Sequence, residues 1–155
     1  MEQDEKYMRE ALREARLAAD AGEIPIGAVV VWKGRIIGRG HNQTERLHDT
    51  TAHAEMLAIT SATETMGGKY LNDCTLYVTV EPCPMCAGAL LMSRLGRCVF
   101  GTADPEAGCC GSVYDLPADP LLHGSTVWEH GGPEEECRAL LDRFFSERRN
   151  EGGKA

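Results

Sequence analysis

The spacing of apolar residues changes along the chain, and each change marks the boundary of a predicted helix or strand. Near the amino end, Met8, Leu12, Ala15 and Ala19 recur at helical intervals and stop at Gly22, which predicts a helix with one apolar face. Such a stripe is buried only when the helix packs against another element. The first helix is therefore predicted to cover one face of a sheet.

Stretches after Gly22 have the length and composition of β-strands. Ile26–Trp32 and Arg35–Ile37 flank Lys33-Gly34, a turn signal, and together they predict a hairpin. Further strands are predicted at Thr75–Val80, Arg97–Phe100 and Ser125–Glu129. Because helical patterns separate most of these stretches, the order predicts an α/β fold with a central sheet and helices on both faces.

The helices between the strands begin at segments that also carry chemical groups. The second is predicted to start near His53, with Thr50 and Thr51 as plausible caps. The third is predicted to start at Pro82 and Pro84, because proline favours the first turn of a helix. A last helix is predicted after Pro133, with an apolar stripe of Cys137, Leu140, Leu141, Phe144 and Phe145.

Length and composition limit the class of protein. With 155 residues and 43% hydrophobic content, residues 1–155 are expected to form a single globular domain. Seven cysteines, an odd number, and an acidic amino end without a secretory signal predict a reducing, cytoplasmic setting. No apolar stretch approaches the roughly 20 residues needed to cross a bilayer, so no membrane association is expected.

Four residues have the chemistry and spacing of a catalytic zinc site. His53 and Glu55 lie near the start of one predicted helix, and Cys83 and Cys86 lie in the first turn of another. Helix starts favour thiolates, because unpaired N–H groups and the helix dipole stabilise negative charge. One imidazole and two thiolates make three ligands, which leaves a coordination position for water. Glu55, a non-ligand carboxylate, is then the predicted proton carrier.

Two other interpretations of the cysteine pair remain open. A closed structural zinc site would need a fourth ligand, and the residue types allow six candidates: His48, Cys74, Cys98, Cys109, Cys110 and Cys137. None of these forms a second closely spaced pair. A redox role for Cys83 and Cys86 does not explain the preceding His53 and Glu55.

The motif His-x-Glu followed by Pro-Cys-x-x-Cys is the signature of zinc nucleobase deaminases. Beyond it, the chain resembles the bacterial tRNA-specific adenosine deaminases over nearly its whole length. The matching segments are Ile24–Val29, Thr75–Thr79, Glu81–Cys83, Ala87–Leu90, Ser93-Arg94, Phe100-Gly101, Gly111-Ser112 and the carboxy-terminal Glu136-Cys137, Leu140-Leu141 and Phe144-Phe145. The resemblance implies a three-layer α/β/α cytidine deaminase-like fold with a central five-stranded mixed sheet.

The resemblance also implies an activity. This activity is the zinc-dependent hydrolytic deamination of adenosine to inosine at the wobble position of a tRNA anticodon stem-loop, by a homodimer with one Zn²⁺ per subunit. His53, Cys83 and Cys86 would hold the metal, and Glu55 would move the protons.

By the same resemblance, further residues contact the RNA. Asn42 and the backbone of Ala54 would hold the edge of the base, Ile26 would pack on its face, and Asp104 would contact the neighbouring backbone or sugar. Phe145 is a candidate for stacking on a base. Other interpretations stay open: Asn42 as a turn residue, Ile26 as simple core, Asp104 as a cap before Pro105, and Phe145 as packing.

The sequence departs from the family pattern at two places. Thr50 stands where the family usually has proline, which predicts a less constrained entry to the second helix. Leu122-His123-Gly124 replaces a region that usually contains an Asn-His pair near the substrate strand, so the fit to RNA is in question there.

Net charge is the main objection to an RNA substrate. The formal charge is −8, whereas nucleic-acid-binding proteins usually carry a basic surface. A local basic strip is expected from Arg94, Arg97, Arg143, Arg148, Arg149 and Lys154.

The sequence leaves three hypotheses for the function: a tRNA adenosine deaminase, a deaminase of a free base or nucleoside such as guanine or cytosine, and a non-catalytic zinc-stabilised domain.

Overall fold

A computed structural model describes residues 2–152 of the chain. In chain order, the helices and strands are α1 (Glu2–Asp20), β1 (Gly27–Trp32), β2 (Arg35–His41), α2 (Ala54–Met66), β3 (Cys74–Val80), α3 (Pro84–Met92), β4 (Arg97–Thr102), β5 (Val127–His130) and α4 (Glu134–Gly152). Among these described residues, none of the helices combines the length and apolar composition needed to cross a bilayer.

The five strands form one sheet in the order β2-β1-β3-β4-β5. β1 is antiparallel to both of its neighbours, and β3, β4 and β5 run parallel to one another. The predicted five-stranded mixed sheet is therefore confirmed. Since β3 and β4 are parallel, the segments that follow them emerge at the same edge of the sheet, where α3 also begins.

Helices cover both faces of the sheet, as the sequence predicts. Alternate residues of each strand point to opposite faces. On one face, Val30, Val78 and Phe100 pack with small residues of α2 and with Leu90 of α3. On the other face, the buried core consists of Val29, Val31, Tyr77 and Val99 with Tyr7, Met8, Ala11 and Leu12 of α1 and Cys137 of α4.

The structure corrects the predicted boundaries at several points. β2 continues to His41, because Gly38 and Gly40, which the apolar pattern overlooks, let α2 lie directly on the strand. The last strand begins at Val127 and not at Ser125. The predicted caps of α2 were wrong. His53 is the N-cap, without a side-chain cap bond, and Thr51 instead hydrogen-bonds the Asp49 carboxylate.

Candidate active site

Two helix starts bring the three predicted metal ligands together. His53 immediately precedes α2, and Cys83 immediately precedes α3, both with extended backbone. Cys86 lies in the first turn of α3 and is buried. The proline at the start of α3 has the position predicted from the sequence. The loop after β2 and the end of β3 thus deliver their ligands to the same point.

The geometry of this group fits zinc. The Nδ1 atom of His53 lies 3.6 Å from Sγ of Cys83 and 3.6 Å from Sγ of Cys86. Bond lengths of about 2.3 Å to sulfur and about 2.0–2.1 Å to nitrogen place such atoms about 3.6 Å apart around a tetrahedral zinc ion. Within the described residues the group has three members, all mutually within 4.8 Å, and no fourth residue joins it.

Hydrogen bonds within the group favour a thiolate at Cys83. The Cys86 thiol and the His53 ring lower the pKa of Cys83 to about 4. The same contact with Cys83 raises the pKa of Cys86, because that thiol keeps the shared proton. The contact with Cys83 also raises the pKa of the His53 ring. An imidazole and two thiols are ligands that zinc prefers, and zinc binding would release the thiol protons.

Glu55 lies in the first turn of α2, beside the metal group but outside it. Its side chain is buried, and burial raises its pKa to about 7. A carboxyl group with such a pKa accepts and releases a proton near neutral pH. The position next to three metal ligands is therefore suited to proton transfer and is unnecessary for a purely structural site.

A cavity of about 430 Å³ opens beside Glu55, within the size range of small-molecule sites, roughly 300–1,000 Å³. We call it the Glu55 cavity. It is lined by Ile24, Ile26, Asn42, Thr44, Glu45, His48, Asp49, Thr50, His53, Ala54 and Glu55. The structure thus brings Ile26, Asn42 and Ala54, which are far apart in the sequence, to one space with His53 and Glu55.

Asn42 has an unusual state in this cavity. Its side chain is 5% exposed, and the Oδ1 atom has no hydrogen-bond partner among the described residues. Its backbone N–H donates to Ile26 O at 3.1 Å, so this donor is satisfied. A buried amide oxygen without a partner costs free energy. The side chain is therefore available to a ligand in the cavity.

Asp104 and Phe145 lie in a second groove, which shares Ile24 and Ile26 with the Glu55 cavity. We call this space, also of about 430 Å³, the Asp104 groove. Phe145 of α4 is 43% exposed, so it is not a core residue. The side chain of Asp104 accepts hydrogen bonds from the backbone of Glu106 and Ala107, as the turn-cap interpretation predicts.

Two buried carboxylates that the sequence analysis did not single out hold the loops around these spaces. Glu23 accepts hydrogen bonds from the backbone N–H groups of Glu45 and Arg46, at 3.0 and 2.9 Å. Glu81 accepts four from the loop after β4. Burial raises the pKa of Glu81, but these bonds outweigh it and the pKa lies below its ordinary value. The sequence signal that could have identified both Glu23 and Glu81 is an acidic residue directly beside an apolar run.

The expected basic strip is only partly formed. Arg97 lies at the opposite end of the sheet, where its guanidinium group binds Asp4 and Glu129. Arg94 stacks on Tyr70 beyond the carboxyl end of α3. Arg148 lies over the ring of Phe144 and donates a hydrogen bond to the backbone of Gly22. Lys154 lies outside the described residues.

The two departures from the family pattern fall in different surroundings. Thr50 lines the Glu55 cavity, so the position that usually holds proline contributes to its wall. His123 is exposed, with a positive φ of 52°, in a loop whose Gly124 packs against Leu91 of α3.

Comparison with known proteins identifies the family. The profile of the family described as "Cytidine and deoxycytidylate deaminase zinc-binding region" matches residues 1–102. The chain is 48% identical over 149 residues to a tRNA-specific adenosine deaminase of Bacillus subtilis, covering 96% of this chain and 92% of that protein. The chain belongs to the tRNA-specific adenosine deaminase family. A second member, from Aquifex aeolicus, is 45% identical and covers 94% of this chain and 96% of its own length.

Solved structures agree with membership of the tRNA-specific adenosine deaminase family. A structure from a study of A-to-I editing by tRNA:A34 deaminases superposes with a TM-score of 0.85 at 41% identity, covering 88% of this chain and 99% of that chain. A guanine deaminase of Bacillus subtilis superposes less well, with a TM-score of 0.63 at 32% identity, covering 94% and 93% of the two chains. The protein is thus a zinc-dependent deaminase with the cytidine deaminase-like fold.

Proposed function

We propose that this protein deaminates adenosine to inosine by hydrolysis at the wobble position of a tRNA anticodon stem-loop. Relatives at 45% and 48% identity carry the name tRNA-specific adenosine deaminase. The alternative, deamination of a free base such as guanine, has a structural relative at 32% identity. The shape of the surface around Glu55 favours the polymer.

The observation that carries this proposal is a continuous series of grooves. Ile24 lines the Glu55 cavity, the Asp104 groove and a third groove of about 310 Å³ that contains Phe144, Phe145 and Arg148. A free base would need only the first of these spaces. Aromatic and cationic side chains beside a base cavity are typical of proteins that bind splayed, single-stranded nucleotides.

The protein's own residues account for the proton transfers. When bound by His53, Cys83 and Cys86, zinc supplies the Lewis acidity that makes water a stronger acid. The Glu55 carboxylate accepts a proton from the attacking water and donates it to the ring nitrogen; it then takes the second proton of that water from the oxygen added to the ring and donates it to the departing amino group. Water and adenosine are consumed, and ammonia and inosine are formed. Because Glu55 is buried, bulk water does not compete with it as the proton carrier.

The contacts to RNA are proposed as follows. Asn42 and the Ala54 backbone hold the edge of the target base, and Ile26 packs against its face. Asp104 and Phe145 contact the next part of the strand, because their groove is separated from the Glu55 cavity only by the shared residues Ile24 and Ile26. The unpaired side-chain oxygen Oδ1 of Asn42, among the described residues, supports the proposed contact between Asn42 and the base.

Inosine formation on RNA tests the proposal. Purified protein with measured zinc content would be incubated with a pool of anticodon stem-loops that have adenosine at the wobble position and varied flanking bases. Free adenosine, guanine and cytidine would be run beside it, with Glu55→Ala as the control. We expect inosine only in the RNA and only with the unaltered protein. Turnover of a free base or nucleoside, with none on RNA, would contradict the proposal.

We further propose that the protein is a homodimer that pairs through the outer face of α3. This helix, Pro84–Met92, has no charged residue on any side, and a helix that is apolar all round is usually covered all round. Only Cys86, Ala87 and Leu90 of it are buried. Met92 is 82% exposed, and a Cβ on Gly88 would meet no atom within 4 Å. A second copy of the same helix would cover this apolar surface.

Sedimentation equilibrium separates a dimer from a monomer. We expect a dimer for the unaltered protein and for Leu17→Glu, which alters an exposed apolar residue on the other face of the sheet. Met92→Glu is expected to give a monomer, because a carboxylate would be buried without a partner. A monomeric unaltered protein, or a dimeric Met92→Glu protein, would show that α3 is not the interface.

The remaining proposals concern organisation and setting. All seven cysteines are free thiols, and six of them are buried. Free thiols support a reducing, cytoplasmic environment. We propose that residues 1–155 form one deaminase domain, because a single sheet lies between both helical layers.

A further inference from the structure

Glu81 is a buried carboxylate whose acceptor capacity is taken up by a single loop. The side chain is 3% exposed and lies at the end of β3, two residues before Cys83. The segment 104–112, which we call the Asp104 loop, follows β4 and passes directly over it. Charged groups are rarely buried unless their hydrogen bonds are made. The contacts with this loop therefore explain how Glu81 can be buried.

The two oxygens of Glu81 bind both ends of the Asp104 loop. At the first end, Asp104 N donates to Oε1 at 3.1 Å. At the other end, Ser112 donates through Oγ to Oε1 at 2.5 Å and through its backbone N to Oε2 at 3.1 Å, and Cys110 N donates to Oε2 at 2.9 Å. One carboxylate therefore satisfies three backbone N–H groups of a loop that has no helix or strand of its own.

The neighbouring backbone completes this attachment. Cys109 N donates to Pro82 O at 2.8 Å, and Glu81 N donates to Thr102 O at 2.9 Å. The loop passes so close to the carboxylate that a Cβ on Gly108 would lie 2.3 Å from Cδ of Glu81. A side chain at position 108 would thus displace either the loop or the carboxylate.

Glu81 and the neighbouring Pro82 connect the loop to the metal group. Glu81 and Pro82 lead directly into Cys83, while the loop positions Asp104 beside Ile26 and Phe145 in the Asp104 groove. We propose that Glu81 is a positioning residue that fixes the wall of the Asp104 groove relative to the metal group and so sets the affinity for the RNA strand. This inference rests on the proposed function and deepens it.

The test compares Glu81→Gln with Asp4→Asn as a matched control. Both changes replace a hydrogen-bonded carboxylate by an amide of the same size, and Asp4 lies at the opposite end of the sheet. Glutamine presents one accepting oxygen and an NH₂ group that faces backbone donors. With the stem-loop substrate, we expect Glu81→Gln to raise KM about tenfold or more, with kcat and zinc content nearly unchanged.

Hydrogen exchange of the loop amides gives a readout that a general loss of stability would not reproduce. Under conditions where both variants are folded, amides of residues 104–112 should exchange faster in Glu81→Gln than in the unaltered protein. Asp4→Asn should leave both this exchange and KM unchanged. If Glu81→Gln fails to fold, Ser112→Ala, which removes one donor, is expected to change KM and loop exchange in the same direction by a smaller factor.

The outcomes distinguish this inference from the proposed function. If the unaltered protein makes no inosine in the stem-loop, the proposed function fails. If it does, and Glu81→Gln and Ser112→Ala keep the unaltered KM and loop exchange, the positioning role is wrong. A loss of zinc and of kcat at unchanged KM would also overturn it, because Glu81 would then act on α3 and not on the Asp104 loop.

Discussion

Asn42 and Glu55 are both buried polar side chains, and their surroundings explain why each is retained. The Glu55 carboxyl group lies beside three metal ligands, where burial raises its pKa. The side-chain oxygen Oδ1 of Asn42 has no hydrogen-bond partner within the described residues. A buried group without a partner is destabilising on its own, and this observation supports the proposal that Asn42 holds the target base.

Asn42→Ala tests this explanation. Because no hydrogen bond to Oδ1 is lost, we expect the unfolding midpoint to change little. On the stem-loop substrate, kcat/KM is expected to fall by about 10- to 100-fold, the effect of one lost hydrogen bond in a binding site. Asn72→Ala, at an exposed turn far from the cavity, is the control and should change neither quantity. A large loss of stability with full activity would instead identify Asn42 as a turn residue.

At the scale of elements, the close contact between α2 and β2 places His53 and Glu55. Gly38 and Gly40 face the helix from alternate positions of the strand. A Cβ on Gly40 would lie 2.5 Å from Ala54 O, and one on Gly38 would lie 2.4 Å from Ala58 O. The helix therefore rests on the strand backbone, and its first turn is fixed at the cavity.

Gly40→Ala and Gly38→Ala separate stability from catalysis at this contact. Each added methyl group collides with helix backbone, so we expect each variant to lose about 1–3 kcal/mol of unfolding free energy, measured by urea denaturation. At a temperature where both remain folded, Gly40→Ala should reduce kcat/KM more strongly, because it displaces the turn that contains Glu55. Equal losses of activity would indicate that α2 moves as a rigid whole.

At the scale of the molecule, the two ends of the sheet have different roles. One end contains the metal group and the grooves. At the other, Arg97 binds both carboxylate oxygens of Asp4 at 3.0 and 2.7 Å, and Tyr77 donates to Asp4 at 2.7 Å. These contacts attach α1 to β3 and β4, so they stabilise the fold at a distance from the chemistry.

The attachment predicts a specific dependence of stability on pH. Hydrogen bonds from Arg97 hold the pKa of Asp4 at about 2, below its unfolded value of about 3.9. Its contribution is therefore complete above about pH 4 and is lost as the pH falls through about 2. We expect Asp4→Asn to lower the unfolding free energy at neutral pH by about 1 kcal/mol, allowing for solvent screening. The difference from the unaltered protein should shrink below about pH 4, and a constant difference would contradict this assignment.

Predictions from the sequence were accurate where the signal was local. Apolar periodicity, together with the prolines at the start of α3, identified the helices and strands of the described residues, although β2 was too short because glycine carries no hydropathic signal at positions 38 and 40. The caps of α2 were wrong, because Thr51 bonds Asp49 within a turn and leaves the helix start to His53. Arg97 was assigned to a basic strip, because nothing in the sequence shows that it faces Asp4 and Glu129.

The sequence by itself determined the order of elements and the chemistry of the metal group, because periodicity and the short spacings between His53 and Glu55 and between Cys83 and Cys86 are properties of residues close together in the chain. Only the tertiary structure decided that Asn42 lies beside Glu55 with a free carbonyl, that Phe145 extends the same surface, and that Glu81 holds the Asp104 loop. These contacts join residues far apart in the chain through loops without periodicity. Their positions depend on how the sheet orders its strands and on which buried polar groups find partners.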